Sequence, residues 1–251
     1  MSLAAASPAA AQAAGRAFAS YQRLLAEMQG EASAPLIKPV IANFHELAHY
    51  LSALRSADAA AAATTNAARA SASRKLFAEL QSRTETYESV TQARADLIHG
   101  DCKIDNLLFD PQQTNVVAVL DLDTTMVGQW WWDFGDLVRS VAQSASGEVD
   151  QVRFDAVAAG FFAVRSAATA PDEAELSLAL LAPAFMTYML CVRFLTDHLA
   201  GDEYFLVEKR GDNLERAQGQ FRLLQNLEQP AVEAAMATSL GRLQGRLQGR
   251  L

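Results

Sequence analysis

The sequence predicts a mainly α fold with a small central β-hairpin. Three observations carry this. Apolar residues recur at helical spacing through the first third of the chain, and again from Asp136 onward; between them, two short apolar runs flank a proline-containing turn. The chain has 251 residues, of which 51% are hydrophobic and 20% charged, so it can bury a substantial core as one large domain or two small ones. General disorder is excluded by the same numbers.

Ser7 followed by Pro8 reads as the N-cap and first residue of a helix. Phe18, Tyr21, Leu25 and Met28 continue it until Gly30 ends the run. A loop with Pro35 and Pro39 leads to a second helix over about 44–57. The alanine tract at 59–63 suits either helix or connection, since alanine favours helix but buries little. A third helix covers 73–82. Residues 97–99 are apolar; then Leu107, Leu108 and Phe109 and the run 116–120 flank the turn residues Asp110, Pro111, Gln112 and Gln113, which predicts the hairpin. Helical segments follow near 136–145, 150–168, 172–199, 213–228 and 230–243. From Gly241 the tail repeats Gly-Arg-Leu-Gln, and glycine at every fourth position weakens a helix. Residues 241–251 are therefore expected to fray, leaving 1–240 as the folded lobe.

Composition removes several function classes. The net charge of −8 makes the surface repel phosphate backbones, which argues against nucleic acid as a partner. Cys102 and Cys191 lack CxxC spacing, which excludes a disulfide scaffold or cysteine-rich zinc module and suits a reducing cytoplasm. The uncharged stretch 176–192 is shorter than the roughly 20 apolar residues of a membrane span, so it reads as a core helix and no membrane partner is expected.

The chemistry concentrates in His99-Gly100-Asp101-Cys102-Lys103-Ile104-Asp105-Asn106, with Asp121-Leu122-Asp123 downstream. Phosphoryl transfer needs a carboxylate for the acceptor hydroxyl, oxygen ligands for magnesium and a cation near the transferred phosphate. This loop carries all three, and the hairpin would return Asp121 beside Asn106. The plainer alternative is an acidic loop capped by Asn106. A second motif, His45-Glu46-Leu47-Ala48-His49, has the zinc-hydrolase pattern on a segment read as helical. The continuation that would supply a third ligand is missing, with Ser52 and Arg55 where Gly and His are needed, so chance occurrence on a helix is the better reading. Trp130, Trp131 and Trp132 suit core packing more than sugar stacking. His198 is read as structural, its cation suiting a helix end.

The loop resembles the catalytic loop of protein-kinase-like small-molecule kinases, the aminoglycoside phosphotransferase and choline kinase superfamily. Within it, the sequence is most similar to bacterial N-acetylhexosamine 1-kinase-like proteins. The later stretches that carry this are Asp121-Leu122-Asp123-Thr124 with Asp133-Phe134-Gly135-Asp136, and Arg193-Phe194-Leu195-Thr196-Asp197 with Gly201-Asp202-Glu203-Tyr204-Phe205. The resemblance implies the C-terminal lobe of the protein-kinase-like fold, ATP as co-substrate, Mg2+, and a small-molecule acceptor, foremost the anomeric hydroxyl of an N-acetylhexosamine. Asp101 would be the catalytic base or hydroxyl-orienting carboxylate, and Lys103 would contact the γ-phosphate. Asn106 and Asp121 would hold magnesium, with Asp123 as a neighbouring acidic group. His99 and Asp133 would support the loop. Arg193 would face the sugar, or else pair with an acidic residue.

The family also has a β-lobe with a glycine-rich loop and a strand lysine. The 98 residues before His99 read as helices; Lys38 and Lys75 sit in no strand motif, and Gly15 and Gly30 stand alone. The chain therefore reads as the helical lobe without the β-lobe, which makes catalysis by this polypeptide alone unexpected. The alternatives are an aminoglycoside, choline or homoserine-type kinase of the same fold, a non-catalytic lobe, and, distantly, the zinc hydrolase.

Overall fold

A computed structural model describes residues 6–29, 40–41, 44–63, 67–90, 96–166 and 171–249. Gly30 and the loop of Pro35 and Pro39 lie outside them. In chain order the elements are α1 (Pro8–Gln29), α2 (Leu47–Ala62), α3 (Ala67–Ser82), α4 (Thr84–Glu88), β1 (Asp96–Ile98), β2 (Leu107–Phe109), β3 (Val116–Val119), β4 (Met126–Gly128), α5 (Trp130–Val141), α6 (Gln151–Arg165), α7 (Glu173–Ala200), α8 (Asp212–Leu227) and α9 (Pro230–Leu247). Short 3-10 turns occupy Ile104–Asn106 and Leu122–Thr124. The fold is mainly α, as the apolar periodicity predicts.

The hairpin forms between β2 and β3, with Leu107 opposite Val119 and an irregularity between Leu108 and Phe109. The structure adds a second antiparallel pair, in which Asp96, Leu97 and Ile98 of β1 face Gly128, Val127 and Met126 of β4. Three-residue strands are too short to show alternation, so only tertiary packing reveals this pairing. Three other boundaries are corrected. Helix α5 begins at Trp130 rather than near 136, because the tryptophans form its buried first turn. Helix α2 begins at Leu47 and absorbs most of the alanine tract. The tail expected to fray from Gly241 is helical to Leu247: Met236 and Leu240 are buried, and Gln244 Nε2 donates to the Pro171 carbonyl at 2.9 Å.

The chain divides into two compact units where the sequence suggested one lobe. One comprises residues up to 44, 92–186 and from 226; the other comprises 45–91 and 187–225. Helix α7 runs through both. It is long and apolar enough to cross a membrane, but 67% of its most apolar window is buried, as in a core helix.

The second unit packs α2, α3, α4, the end of α7 and most of α8. Tyr188 stacks on Tyr87 at 4.5 Å and donates its hydroxyl to the Leu80 carbonyl. The Asp197 carboxylate accepts the backbone N–H groups of Glu203, Tyr204 and Phe205, and Asn213 Nδ2 bridges Asp197 and Asp202. Arg69 donates to the His198 carbonyl and pairs with Asp202. Burial first, and Arg69 beside it, push the His198 imidazole below its ordinary range. His198 thus favours the neutral form and is no cation for the helix end.

The first unit is built around α1. Ser7 Oγ caps it by accepting from Ala10 N at 3.2 Å. Its buried face carries Ala10, Ala11, Ala14, Gly15, Phe18, Gln22 and Leu25, while Met28, expected on that stripe, is exposed. An aromatic cluster of Trp130, Phe134, Phe154, Phe161 and Phe162 lies between α5 and α6. Helices α1 and α6 cross where Gly15 meets Gly160. A Cβ on Gly160 would overlap the Gln12 carbonyl oxygen and stand 3.1 Å from Arg16 N. Helix propensity alone makes Gly160→Ala stabilising by about 1 kcal/mol. The crossing reverses the sign, since overpacking costs about 1–3 kcal/mol. Thermal melts should show Gly160→Ala melting several degrees below wild type; an equal or higher Tm contradicts the close crossing.

Candidate active site

The 99–106 loop lies wholly in the first unit. Strand β1 ends at Ile98, and the fully buried His99 follows. Asp101 N–H donates to His99 Nδ1 at 3.2 Å, so the ring proton sits on Nε2, which donates to the Leu120 carbonyl at 2.9 Å. Phe18 and Tyr21 of α1 meet the imidazole edge-on, with centroids at 5.1 and 5.5 Å. The next residue, Gly100, has φ +85°, a left-handed conformation costly for any side chain. A Cβ there would also stand 2.6 Å from the Thr124 carbonyl oxygen.

Beneath the loop lies the Asp133 carboxylate, 1% exposed in the first turn of α5. Its Oδ1 accepts Gly100 N–H at 2.9 Å; its Oδ2 accepts His99 N–H at 2.9 Å and Gln22 Nε2 at 2.8 Å. Gln22 also donates to the Trp130 carbonyl at 3.2 Å. Sequence reading missed Gln22. The available signal was a polar residue between Phe18 and Leu25 on an apolar stripe, a position that demands a buried partner. Thr124, whose hydroxyl donates to the His99 carbonyl, and Ser140, whose Oγ accepts Ile104 N–H, were also missed.

On the open side, Lys103 Nζ is 2.5 Å from Asp101 Oδ2 and 3.9 Å from Asp121 Oδ2. Asn106 Nδ2 donates to the Asp101 carbonyl and carboxylate at 2.9 and 3.0 Å. The hairpin closes the arrangement: Leu120 N–H bonds the Asn106 carbonyl at 2.9 Å, and Asp121 turns in the left-handed region at φ 63°. Asp123 stands exposed in the following 3-10 turn and makes none of these contacts. The structure thus brings together Asp101, Lys103, Asn106 and Asp121.

Burial opposes the charged form of Asp101, but the Lys103 ammonium and the Asn106 amide outweigh it and hold its carboxyl below the ordinary range. Burial likewise works against the Lys103 cation, and its bond to Asp101 outweighs that and raises it. Cys102 is fully buried beside Asp133 and Asp136, so burial and both carboxylates keep its thiol protonated and unreactive. Asp136 is buried against Arg139, with both Nε and NH2 within 2.8 Å of Oδ1.

The donor set fits a hard divalent cation. Asn106 gives its amide nitrogen to Asp101, which leaves Oδ1, and the Asp121 carboxylate is 48% exposed. Among the described residues no three His, Cys, Asp or Glu side chains cluster as a metal cage. Magnesium needs none, since one or two protein oxygens beside substrate phosphates suffice. The zinc pattern fails on geometry: His45 and Glu46 precede α2, so the two histidines do not share a helical face. The three tryptophans are buried, as core residues. Arg193 lies in the second unit, its guanidinium over the rings of Tyr50 at 5.1 Å, Phe205 at 5.5 Å and Tyr204 at 5.9 Å.

Removing Asp133 would take the carboxylate acceptor from the His99 and Gly100 amides and from Gln22, at about 1–3 kcal/mol for each buried donor left unsatisfied. Asp133→Ala should therefore lower Tm by roughly 10 °C or more. Asp101→Ala, at the open edge, should stay close to wild type. The two melts decide which carboxylate is scaffold, and the reverse order contradicts the assignment.

A model of the phosphotransferase enzyme family (APH) matches residues 2–168, well over half of the chain. The match encloses α1 with Gln22, the 99–106 loop, Asp121 and Asp133, and it ends before Arg193. The mainly α architecture corresponds to the C-terminal lobe of the kinase-like fold, and such enzymes take ATP as phosphate donor, usually with a divalent metal. On the match and the architecture together, this chain belongs to the phosphotransferase enzyme family, whose kinase-type chemistry acts on small molecules.

Proposed function

We propose that this chain carries the catalytic loop of an ATP-dependent kinase whose acceptor is a small-molecule hydroxyl, foremost the anomeric hydroxyl of an N-acetylhexosamine or related sugar. The observation that carries the kinase reading is the convergence of Asp101, Lys103, Asn106 and Asp121 within one loop-and-hairpin unit. The sugar acceptor rests on the similarity of the Arg193 and Gly201 stretches to sugar 1-kinases.

Asp101 accepts a hydrogen bond from the acceptor hydroxyl and aims its oxygen at the γ-phosphate. A carboxylate held below its ordinary range is a weak base, so it orients the hydroxyl in the ground state. It takes the proton as the hydroxyl oxygen forms its new bond to the γ-phosphorus and the bond from that phosphorus to the departing ADP oxygen breaks. Lys103 contacts the γ-phosphate, and its raised pKa keeps it cationic throughout. Asn106 and Asp121 would hold magnesium, with Asp123 adding negative charge nearby. When bound, magnesium would neutralise charge on the phosphate oxygens. His99 and Asp133 keep the loop amides in place. A reducing, cytoplasmic setting suits the two buried free thiols.

In the ATP-supplied enzyme, Asp101→Asn should lower kcat by about 10²–10⁴-fold, the usual range for a positioned base, without unfolding. Asp121→Asn should instead raise the magnesium requirement. Steady-state rates across magnesium concentration separate the two, and matching phenotypes contradict these roles. Because Asp101 titrates below the ordinary carboxylate value of about 3.9, it should add no acid limb to the rate between about pH 5 and 8.

A second reading, a non-catalytic lobe, is favoured by the helical character of the described residues before β1, which supply no strand lysine. Calorimetric titration of this chain with Mg-ATP should give a Kd no tighter than about 100 µM. A sub-micromolar value would mean that these helices hold the nucleotide themselves.

A further inference from the structure

We propose that the cleft between α6 and α9 is a binding site for a small phosphorylated polyol. The cleft measures about 280 Å³ and is lined by Asp155, Ala158 and Ala159 of α6 and by Ser239, Arg242, Leu243 and Arg246 of α9. That volume lies just below the range of drug-sized ligand sites, about 300 to 1,000 Å³, which limits the cleft to a small ligand. The Gly-Arg-Leu-Gln repeat, unassigned by any phosphotransfer role, supplies both arginines one helical turn apart.

Ser239 is the built part of the site. It is 8% exposed, and its Oγ accepts from Gln151 Nε2 at 3.1 Å and from Arg242 NH2 at 3.2 Å. Both partners can only donate, so neither uses the Ser239 proton. The neighbouring Thr238 turns its hydroxyl back to the Ala234 carbonyl at 2.8 Å, the usual resolution within a helix. Ser239 makes no such bond among the described residues, which leaves its O–H to donate into the cleft.

The charges are arranged for a ligand rather than for each other. Asp155 Oδ1 is held by Gln151 Nε2 at 2.8 Å, so the carboxylate is fixed on the α6 wall. Neither Arg242 nor Arg246 forms an ion pair among the described residues, with Asp155 or any other acid. Both guanidinium groups line the cleft, and their charge is therefore open to an anion there. Two guanidinium forks and one hydroxyl match the terminal oxygens of a phosphomonoester. Asp155 faces them as an acceptor for hydroxyl groups, and Ala158, Ala159 and Leu243 offer apolar floor to the carbon chain.

The test is isothermal titration of the whole chain at low ionic strength with glycerol 3-phosphate, inorganic phosphate and glycerol. Glycerol 3-phosphate should bind once per chain, at least about tenfold tighter than inorganic phosphate, and glycerol should not register. The exposed pair Arg242→Ala and Arg246→Ala, checked for folding by circular dichroism, should weaken binding by more than about tenfold. Asp155→Asn should reduce glycerol 3-phosphate to the affinity of inorganic phosphate. Asp101→Asn should leave binding unchanged, which separates this site from the phosphotransfer loop. No binding below about 10 mM, binding that survives the double variant, or glycerol 3-phosphate no tighter than phosphate each overturns the proposal. The readout is affinity, so its failure leaves the kinase reading standing.

Discussion

The Asp133 carboxylate is the point on which the first unit turns. Burying a charge is costly unless donors replace the lost water, and here three N–H groups do so. Those donors come from two places in the chain: Gln22 in α1, and the backbone of His99 and Gly100 just after β1. One carboxylate thus sets where α1, α5 and the 99–106 loop stand relative to one another. Gly100 can present its N–H there because it tolerates a positive φ.

The same anchoring explains the division between buried and open carboxylates. Asp133 is 1% exposed and engaged by protein donors, so it does not face a substrate. Asp101 and Asp121 share the half-exposed Lys103 and keep part of their surface open. The hairpin does the rest. Its Leu120 to Asn106 bond carries Asp121 back beside the loop, so residues fifteen apart in sequence act at one place. Phosphoryl transfer depends chiefly on such positioning and charge placement, and a loop fixed from below meets that need.

Packing of α1 on α6 completes the frame. Gly15 and Gly160 let two backbones approach closely, and this brings Phe18, Tyr21 and Gln22 under the His99 ring and Asp133. Helix α6 then faces α9 on another side, where Ser239 and Gln151 link the two helices. The glycine-containing end of α9 stays helical because its apolar residues have a partner surface, a gain that outweighs the weak propensity of Gly241 and Gly245.

The sequence by itself determined the helical class, the β2–β3 hairpin and the 99–106 loop. These are local features, encoded by apolar period, turn residues and close spacing of charged groups. Even the buried state of Asp133 was legible, since it follows three tryptophans and precedes Phe134. Only the tertiary structure decided the β1–β4 pair, the start of α5 at Trp130, the division into two units and the partnership of Gln22 with Asp133. Each joins segments distant along the chain, or depends on which face a neighbour covers. The zinc-like pattern at His45 fails for the same reason: a spacing rule presumes a helix, and where that helix begins is set by packing around Leu47, Leu51 and Leu54.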